Sequence, residues 1–141
     1  MSEQVQSPEP TPPSSVIGKR VLVAEDAATI RLYYRMVLEG AGFFVEESVN
    51  GVEAIERALE APFDLLIADI NMSPMDGLRL IRTIRQDPGL QSIPALVIST
   101  EDSENSRRLA YEAGANFVIV KPVDPDVLVR TVRLMTGAES Q

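Results

Sequence analysis

Residues 63–77 read FDLLIADINMSPMDG and contain the clearest structural signal in the chain. Its apolar run ends in an acidic residue, Asp69, and a polar loop over 70–76 leads into a helical pattern that starts at Gly77. A continuous apolar run with polar boundaries is typical of a strand that is covered on both faces. The stretch therefore predicts a strand over 63–69, an acidic strand end and a helix.

The same alternation of apolar runs and helical patterns occurs along most of the chain. Four further strands are predicted, at 21–24, from 43, at 94–99 and at 117–120. A helical pattern follows each strand. The second helix is predicted to be capped by Asn50 and to carry Val52, Ile55 and Leu59. The last helix is predicted to begin near Asp124 and to bury Val127, Leu128, Val132 and Leu134. Five such units predict an α/β domain with a doubly wound, five-stranded parallel sheet and right-handed crossovers.

Composition narrows the chemistry before any motif is considered. The chain has 141 residues, a length typical of a single domain. It contains no His and no Cys. These absences exclude four kinds of chemistry: catalytic triads that use a histidine, cysteine nucleophiles, disulfide bonds, and zinc sites with nitrogen or sulfur ligands. A metal would be a hard ion with oxygen ligands, such as Mg²⁺, Mn²⁺ or Ca²⁺.

Charge and termini restrict the partners and the location. The net charge of −8 argues against nucleic acid and anionic membranes as partners. Residues 1–17 are rich in proline and predict a disordered tail, with a PxxP-type ligand as the alternative. They contain no secretory signal, so we expect a cytoplasmic protein with a folded domain over 18–137 and a short tail over 138–141.

Polar residues stand where the predicted strands end. They are Glu25 and Asp26 after the first strand, Asp69 after the third, Ser99 and Thr100 after the fourth, and Lys121 after the fifth. Ligands of open α/β sheets bind beyond these carboxyl ends, so the side chains should meet at one edge.

This set suits a phosphoryl group and a cation. Three carboxylates at close range need a cation, and a lysine ammonium is suited to a phosphoryl oxygen. A lone acid at a strand end is better placed to attack than one of a metal-holding pair, which makes Asp69 the best acceptor. The alternative is that these acids only cap helices and aid solubility.

The ordered set resembles the receiver domain of two-component response regulators, the CheY-like family. The matching residues are Glu25-Asp26, Asp69 within the run Ala68 to Gly77, Ser99, and Lys121-Pro122. The likeness covers about residues 19–137. It implies the strand order 2-1-3-4-5.

The resemblance also implies a role for each matching residue. Asp69 would accept a phosphoryl group from a phosphohistidine of a histidine kinase or histidine phosphotransfer protein. Asp26, Asp69 and the backbone carbonyl of Asn71 would ligate Mg²⁺, with Mn²⁺ as a substitute and Glu25 assisting through water. Ser99, Thr100 and Lys121 would contact phosphoryl oxygens. The peptide bond before Pro122 is often cis in the family.

Several positions depart from the family pattern or tune it. Pro74 lies one residue later than the usual loop proline, and Thr100 stands where a small residue is usual. The switch aromatic is replaced by Val118, with Phe117 one residue earlier and predicted on the opposite face. Asn71 and Glu101 occupy the two positions that tune phosphoryl lifetime, which implies fairly rapid self-dephosphorylation.

We expect a stand-alone response regulator, not an enzyme, that acts as a monomer or weak dimer on an unknown protein target, in chemotaxis or a phosphorelay. Two alternatives remain open: a degenerate receiver that binds partners without phosphorylation, and a Mg²⁺-dependent aspartyl-phosphate hydrolase. The hydrolase class needs a second Asp where Asn71 stands and a cap domain. Dinucleotide binding is disfavoured because no GxGxxG follows the first strand.

Overall fold

The computed structural model describes residues 18–138 and contains five strands and five helices in strict alternation. The elements are β1 (Arg20–Ala24), α1 (Ala28–Gly40), β2 (Phe44–Ser48), α2 (Gly51–Glu60), β3 (Leu65–Asp69), α3 (Gly77–Gln86), β4 (Ala95–Ser99), α4 (Glu104–Ala113), β5 (Phe117–Val120) and α5 (Pro125–Thr136). The predicted tail over 1–17 and residues 139–141 lie outside the described range. Within that range no helix has the length and apolarity to cross a membrane.

All five strands are parallel and are ordered β2-β1-β3-β4-β5. This order confirms the α/β fold and the sheet that the family resemblance implied. The central strand β3 is buried along its whole length, as its continuous apolar run predicted. It begins two residues later than predicted, because Asp64 exchanges hydrogen bonds with the Arg20 backbone before the ladder starts.

The two faces of the sheet carry separate apolar cores. The helices α2, α3 and α4 cover one face, where Leu22, Leu66, Leu80 and Ile81 pack. The helices α1 and α5 cover the other face with residues such as Tyr34 and Leu128. With both faces covered, ligands can approach the sheet only at its ends, and the polar strand ends lie at one of them.

Side-chain caps fix where four of the helices begin. In each case a side-chain oxygen accepts a hydrogen bond from a backbone N–H group of the first turn. The capping residues are Asn50, Asp76, Ser103 and Asp124. The predicted starts at Asn50 and Asp124 are therefore confirmed. The cap at Asp76 places the start of α3 directly after the loop that follows Asp69.

The buried face predicted for α5 was partly wrong, and two of the apolar residues that the pattern places on α2 are exposed. Val52 and Leu59 are 43% and 61% exposed, because α2 packs through Gly51, Ala54 and Ala58 instead. Small residues let this helix lie close to its neighbours, so the large side chains point outward. In α5, Leu128 and Val132 are buried as predicted, whereas Leu134 is 83% exposed.

Candidate functional site

The carboxyl ends of β1, β3 and β5 bring two carboxylates and one ammonium together. Lys121 Nζ donates to Asp69 Oδ2 over 3.0 Å and lies 3.8 Å from Glu25 Oε1. Both acids are almost fully buried, at 1% exposure for Glu25 and 3% for Asp69. Three groups that the sequence places 44 and 52 positions apart thus form one cluster.

Glu25 is buried in this cluster with its two oxygens in different surroundings. Its Oε2 accepts a hydrogen bond of 3.0 Å from the Ala27 backbone N–H, whereas its Oε1 is buried and has no hydrogen-bond partner among residues 18–138. Burial, followed by the neighbouring Asp69 carboxyl group, raises the pKa of Glu25 to about 8. A buried carboxylate oxygen without a donor is an unsatisfied acceptor that a cation or its water could satisfy.

The residues predicted to hold a metal are also close enough to do so. Glu25, Asp26 and Asp69 each offer an oxygen, and these three atoms lie within 4.8 Å of one another. Asp26 is exposed while the other two are buried, so the group opens to solvent on one side. All-oxygen donors, together with the unsatisfied Glu25 oxygen, fit a hard divalent cation such as Mg²⁺.

The loop after β3 is held against Asp69 by a contact that the sequence analysis did not anticipate. A Cβ on Gly77 would lie 2.4 Å from the Asp69 carbonyl oxygen, so only glycine fits there. The Gly77 N–H also donates to the Ile70 carbonyl, and the Asn71 N–H donates to Asp69 Oδ1. The one available signal was a glycine directly after a capping aspartate, where a helix would favour alanine.

Ser99 and Glu101 are tied to each other at the end of β4. The Ser99 hydroxyl accepts from the Glu101 N–H at 3.0 Å and donates to the Glu101 carbonyl at 3.3 Å. Ser106 also donates to that carbonyl. Ser99 therefore lies at the predicted edge, with its hydroxyl engaged in the β4–α4 loop.

Two clefts flank the cluster. The first cleft has a volume of about 180 Å³. It is lined by both residues predicted to tune the phosphoryl lifetime, Asn71 and Glu101. The full lining is Ile70, Asn71, Leu78, Ser99, Thr100, Glu101, Ser106 and Leu109. The other has a volume of about 400 Å³ and is lined by Ile30, Tyr33, Tyr34, Thr100, Lys121, Pro122 and Val123. Thr100 lies between them and contributes to both.

The residues at the predicted switch position lie away from the acids. Val118 packs against the core beneath α2, α3 and α4, whereas Phe117 is 45% exposed. The prediction that these neighbours face opposite sides agrees with this arrangement. The Lys121–Pro122 peptide bond is cis, as is Ser73–Pro74.

The family model of the response regulator receiver domain matches residues 21–133 of the chain. This span includes every residue of the cluster and both clefts. The chain belongs to the response regulator receiver family. Receiver domains are signalling proteins that work with histidine kinases and downstream targets.

Curated relatives include both single-domain and larger receiver proteins. The chain is 37% identical over 121 residues to the chemotaxis protein CheY1 of Helicobacter pylori, and the match covers 84% of this chain and 97% of CheY1. It is 35% identical over 122 residues to the transcriptional regulatory protein ResD of Bacillus subtilis, with 86% of this chain and 50% of ResD covered. The receiver domain here thus spans about half the length of ResD.

Solved receiver structures share the fold. Chemotaxis protein CheY4 of Vibrio cholerae superposes with a TM-score of 0.79 at 32% identity, covering 83% of this chain and 98% of that one. A putative response regulator from Chloroflexus aurantiacus gives a TM-score of 0.81 at 29% identity, covering 84% and 98%. These likenesses agree with the strand order and the two-core architecture of this receiver domain.

Proposed function

We propose that this receiver domain accepts a phosphoryl group on Asp69 from a phosphohistidine of a histidine kinase or histidine phosphotransfer protein. The observation that carries the proposal is the 3.0 Å contact between Lys121 Nζ and the buried Asp69 Oδ2. A buried acid at a strand end beside an ammonium is suited to receive a group whose oxygens carry negative charge.

The transfer forms one bond and breaks one. A carboxylate oxygen of Asp69 attacks phosphorus, the O–P bond forms, and the P–N bond to the donor imidazole breaks. The electron pair of the broken bond returns to the imidazole nitrogen. The chain contains no His, so the donor imidazole belongs to the partner. Lys121 stays beside the phosphoryl oxygens, and Ser99 and Thr100 lie at the same edge to donate to the others.

The chain supplies the ligands for a divalent cation at this site. Glu25, Asp26 and Asp69 would hold Mg²⁺, or Mn²⁺, together with the Asn71 carbonyl. Bound there, the cation would offset the charge of the carboxylates as a phosphoryl group approaches. The unsatisfied Glu25 Oε1 supports this assignment.

We propose that the signal leaves through protein contacts that depend on phosphorylation. The Ser99 hydroxyl cannot keep both of its bonds to Glu101 if it turns toward a phosphoryl oxygen. That turn would release the β4–α4 loop, which Ser106 also holds. Asn71 and Glu101 face one cleft, a placement that supports roles in setting phosphoryl lifetime. A phosphoryl lifetime of many hours would contradict rapid self-dephosphorylation.

The second candidate is a receiver that binds its partner without phosphorylation. Two observations favour it: Val118 replaces the usual aromatic, and the Ser99 hydroxyl is satisfied within the loop. The complete cluster of acids and lysine favours the first proposal. An aspartyl-phosphate hydrolase is the weakest alternative, because Asn71 stands where that class has an acid.

Binding of beryllofluoride, a phosphoryl mimic, separates these candidates. With Mg²⁺ present, we expect the amide NMR signals of the β4–α4 loop and of Lys121 to shift in the wild-type chain. The control Glu39→Gln, whose exposed carboxylate pairs with Arg35 on α1 outside the cluster and the loop, should show the same shifts. The shifts should be absent in Asp69→Asn. If the wild-type chain is folded but its NMR signals do not shift when beryllofluoride is added, the result would support a receiver that binds its partner without phosphorylation.

A further inference from the structure

The loop that carries Lys121 is anchored by few contacts. It joins β5 to α5 over residues 121–124. Its first residue is fixed by the Lys121 N–H, which donates to the Ser99 carbonyl over 2.8 Å, and its last, Asp124, caps α5. Between these ends, Pro122 has no N–H to donate. The position of the loop centre therefore depends on what holds Val123.

Tyr33 holds that centre from the opposite side of the cleft. Its hydroxyl donates a 2.9 Å hydrogen bond to the Val123 carbonyl, which is 90 positions away in sequence. Among residues 18–138 this is the only hydrogen bond found for the backbone of Pro122 or Val123. The bond ties α1 directly to the loop two residues after the ammonium-bearing lysine.

Tyr33 is itself held in place by a buried neighbour. The rings of Tyr33 and Tyr34 lie 5.9 Å apart at an interplanar angle of 57°. Tyr34 is buried in the core between α1 and α5, so the ring against which Tyr33 rests is fixed. A tilted aromatic pair of this kind restricts where the Tyr33 hydroxyl can point.

We propose that Tyr33 is a positioning residue for Lys121: its bond to Val123 fixes the β5–α5 loop so that the ammonium faces Asp69. The proposal rests on the proposed phosphoryl transfer, because Lys121 acts there on the phosphoryl oxygens. The Tyr33 hydroxyl bonds to the Val123 carbonyl, whereas Asp69 pairs with Lys121. The effect of Tyr33 is transmitted through Val123, Pro122 and the backbone of Lys121.

The test uses Tyr33→Phe, which keeps the ring and removes the hydroxyl, with Tyr111→Phe on the exposed face of α4 as the matched control. The first measurement is the initial rate of acyl-phosphate formation from phosphoramidate and Mg²⁺. We expect Tyr33→Phe to lower this rate by roughly threefold to tenfold, the scale of one net hydrogen bond. Tyr111→Phe should match the wild type.

A spectroscopic readout separates positioning from a general loss of structure. The chain contains two lysines, Lys19 and Lys121, so lysine labelled with ¹³C at Cε gives two signals. In Tyr33→Phe the Lys121 signal should move toward that of a free lysine, while the Lys19 signal and the Mg²⁺ affinity stay unchanged. Unfolding measured in denaturant gives the folded fraction for the rate comparison.

Each outcome has a distinct meaning. An unchanged Lys121 signal or an unchanged rate in Tyr33→Phe would overturn the positioning role, and so would a rate loss explained by the unfolded fraction. If the wild-type chain itself takes no phosphoryl group, the proposed function fails. In that case the Lys121 signal still decides whether Tyr33 fixes the lysine.

Discussion

At the scale of single residues, Gly77 matters because it has no side chain. It lies where the first turn of α3 approaches the carbonyl of Asp69, the proposed acceptor, and a Cβ there would lie 2.4 Å from that oxygen and 2.9 Å from the carbonyl carbon. Both are backbone atoms of a buried central strand, which cannot turn aside as a side chain can. The contact sets the distance between the acceptor strand and the helix that follows it.

We predict that Gly77→Ala destabilises the fold and weakens beryllofluoride binding. Alanine favours a helix over glycine by up to about 1 kcal/mol, but overpacking against backbone costs about 1–3 kcal/mol and should outweigh this gain. The free energy of unfolding in denaturant measures the balance. The control is Gly40→Ala, since among residues 18–138 no atom beyond its chain neighbours and its own helix backbone lies within 4 Å of the corresponding Cβ. Equal stability of the two variants would show that the contact is not tight.

The chemical identity of the site could be predicted from sequence, but the orientation of its side chains could not. Apolar runs locate strand ends, and parallel strands bring those ends together, so Glu25, Asp69 and Lys121 were all foreseen. The Ser99 hydroxyl turns to Glu101, and the Tyr33 hydroxyl reaches Val123, because of distances that depend on the finished packing. No local pattern records such contacts.

At the scale of elements, one acid joins the edge strand β2 to α1. Glu47 accepts from Arg31 at 2.7 Å and from Arg35 at 2.8 Å, and these arginines hold its pKa below the usual value of 4.5. Within the described range, β2 lies at the edge of the sheet and is hydrogen-bonded to one other strand, β1. The two ion pairs are a second tie that holds this strand to the domain.

We predict that Glu47→Gln costs about 1 kcal/mol at neutral pH, since its ion pairs are only partly shielded from water. The lowered pKa means that the folded chain binds this proton less tightly than the unfolded chain. Its stabilisation is therefore complete above pH 4.5 and is lost as the pH falls through the lower folded-state pKa.

Denaturant unfolding at a series of pH values measures this difference between the wild type and Glu47→Gln. The curves should be parallel near neutrality and converge in acid. Glu112→Gln is the control, because that exposed glutamate pairs with Arg108 on its own helix, α4, and shares no partner with Glu47. A difference that persists in strong acid would mean that the effect is not electrostatic.

The sequence predicted where helices begin more accurately than it predicted which helix residues are buried. The start of α5 was predicted by Asp124 and Pro125, since capping and proline geometry are local properties. The outward turn of Leu59 and Leu134 was not predicted, because either side of an apolar helix can face the sheet. The side chain of Arg85, which donates to Gly114, Ile93 and Asn116, ties the α3–β4 loop to the α4–β5 loop by contacts that have no local signature.

At the scale of the whole molecule, the excess of 21 acidic over 13 basic residues is distributed unevenly. Three of the acids converge on one point, where Lys121 is the basic side chain in contact. Like charges at such range oppose folding, so a cation bound there should stabilise the fold as well as prepare the site.

We predict that Mg²⁺ raises the free energy of unfolding of the wild-type chain, by about 2.7 kcal/mol at a hundred times its dissociation constant. Asp26→Asn should reduce this gain, because Asp26 is the exposed member of the three proposed ligands and its loss leaves the core intact. The control Asp102→Asn, which removes an exposed carboxylate outside the acidic cluster, should retain the gain in stability. NaCl at equal ionic strength controls for screening of surface charges. Equal gains in both variants would place the cation elsewhere.

Phosphorylation of Asp69 is the claim on which this account depends most. Its most direct test is the intact mass of the chain after incubation with phosphoramidate and Mg²⁺, with peptide mapping to locate the added group. The account predicts one phosphoryl group on Asp69 in the wild type and none in Asp69→Asn. A folded wild-type chain that gains no mass, or an Asp69→Asn variant that gains as much as the wild type, would contradict it.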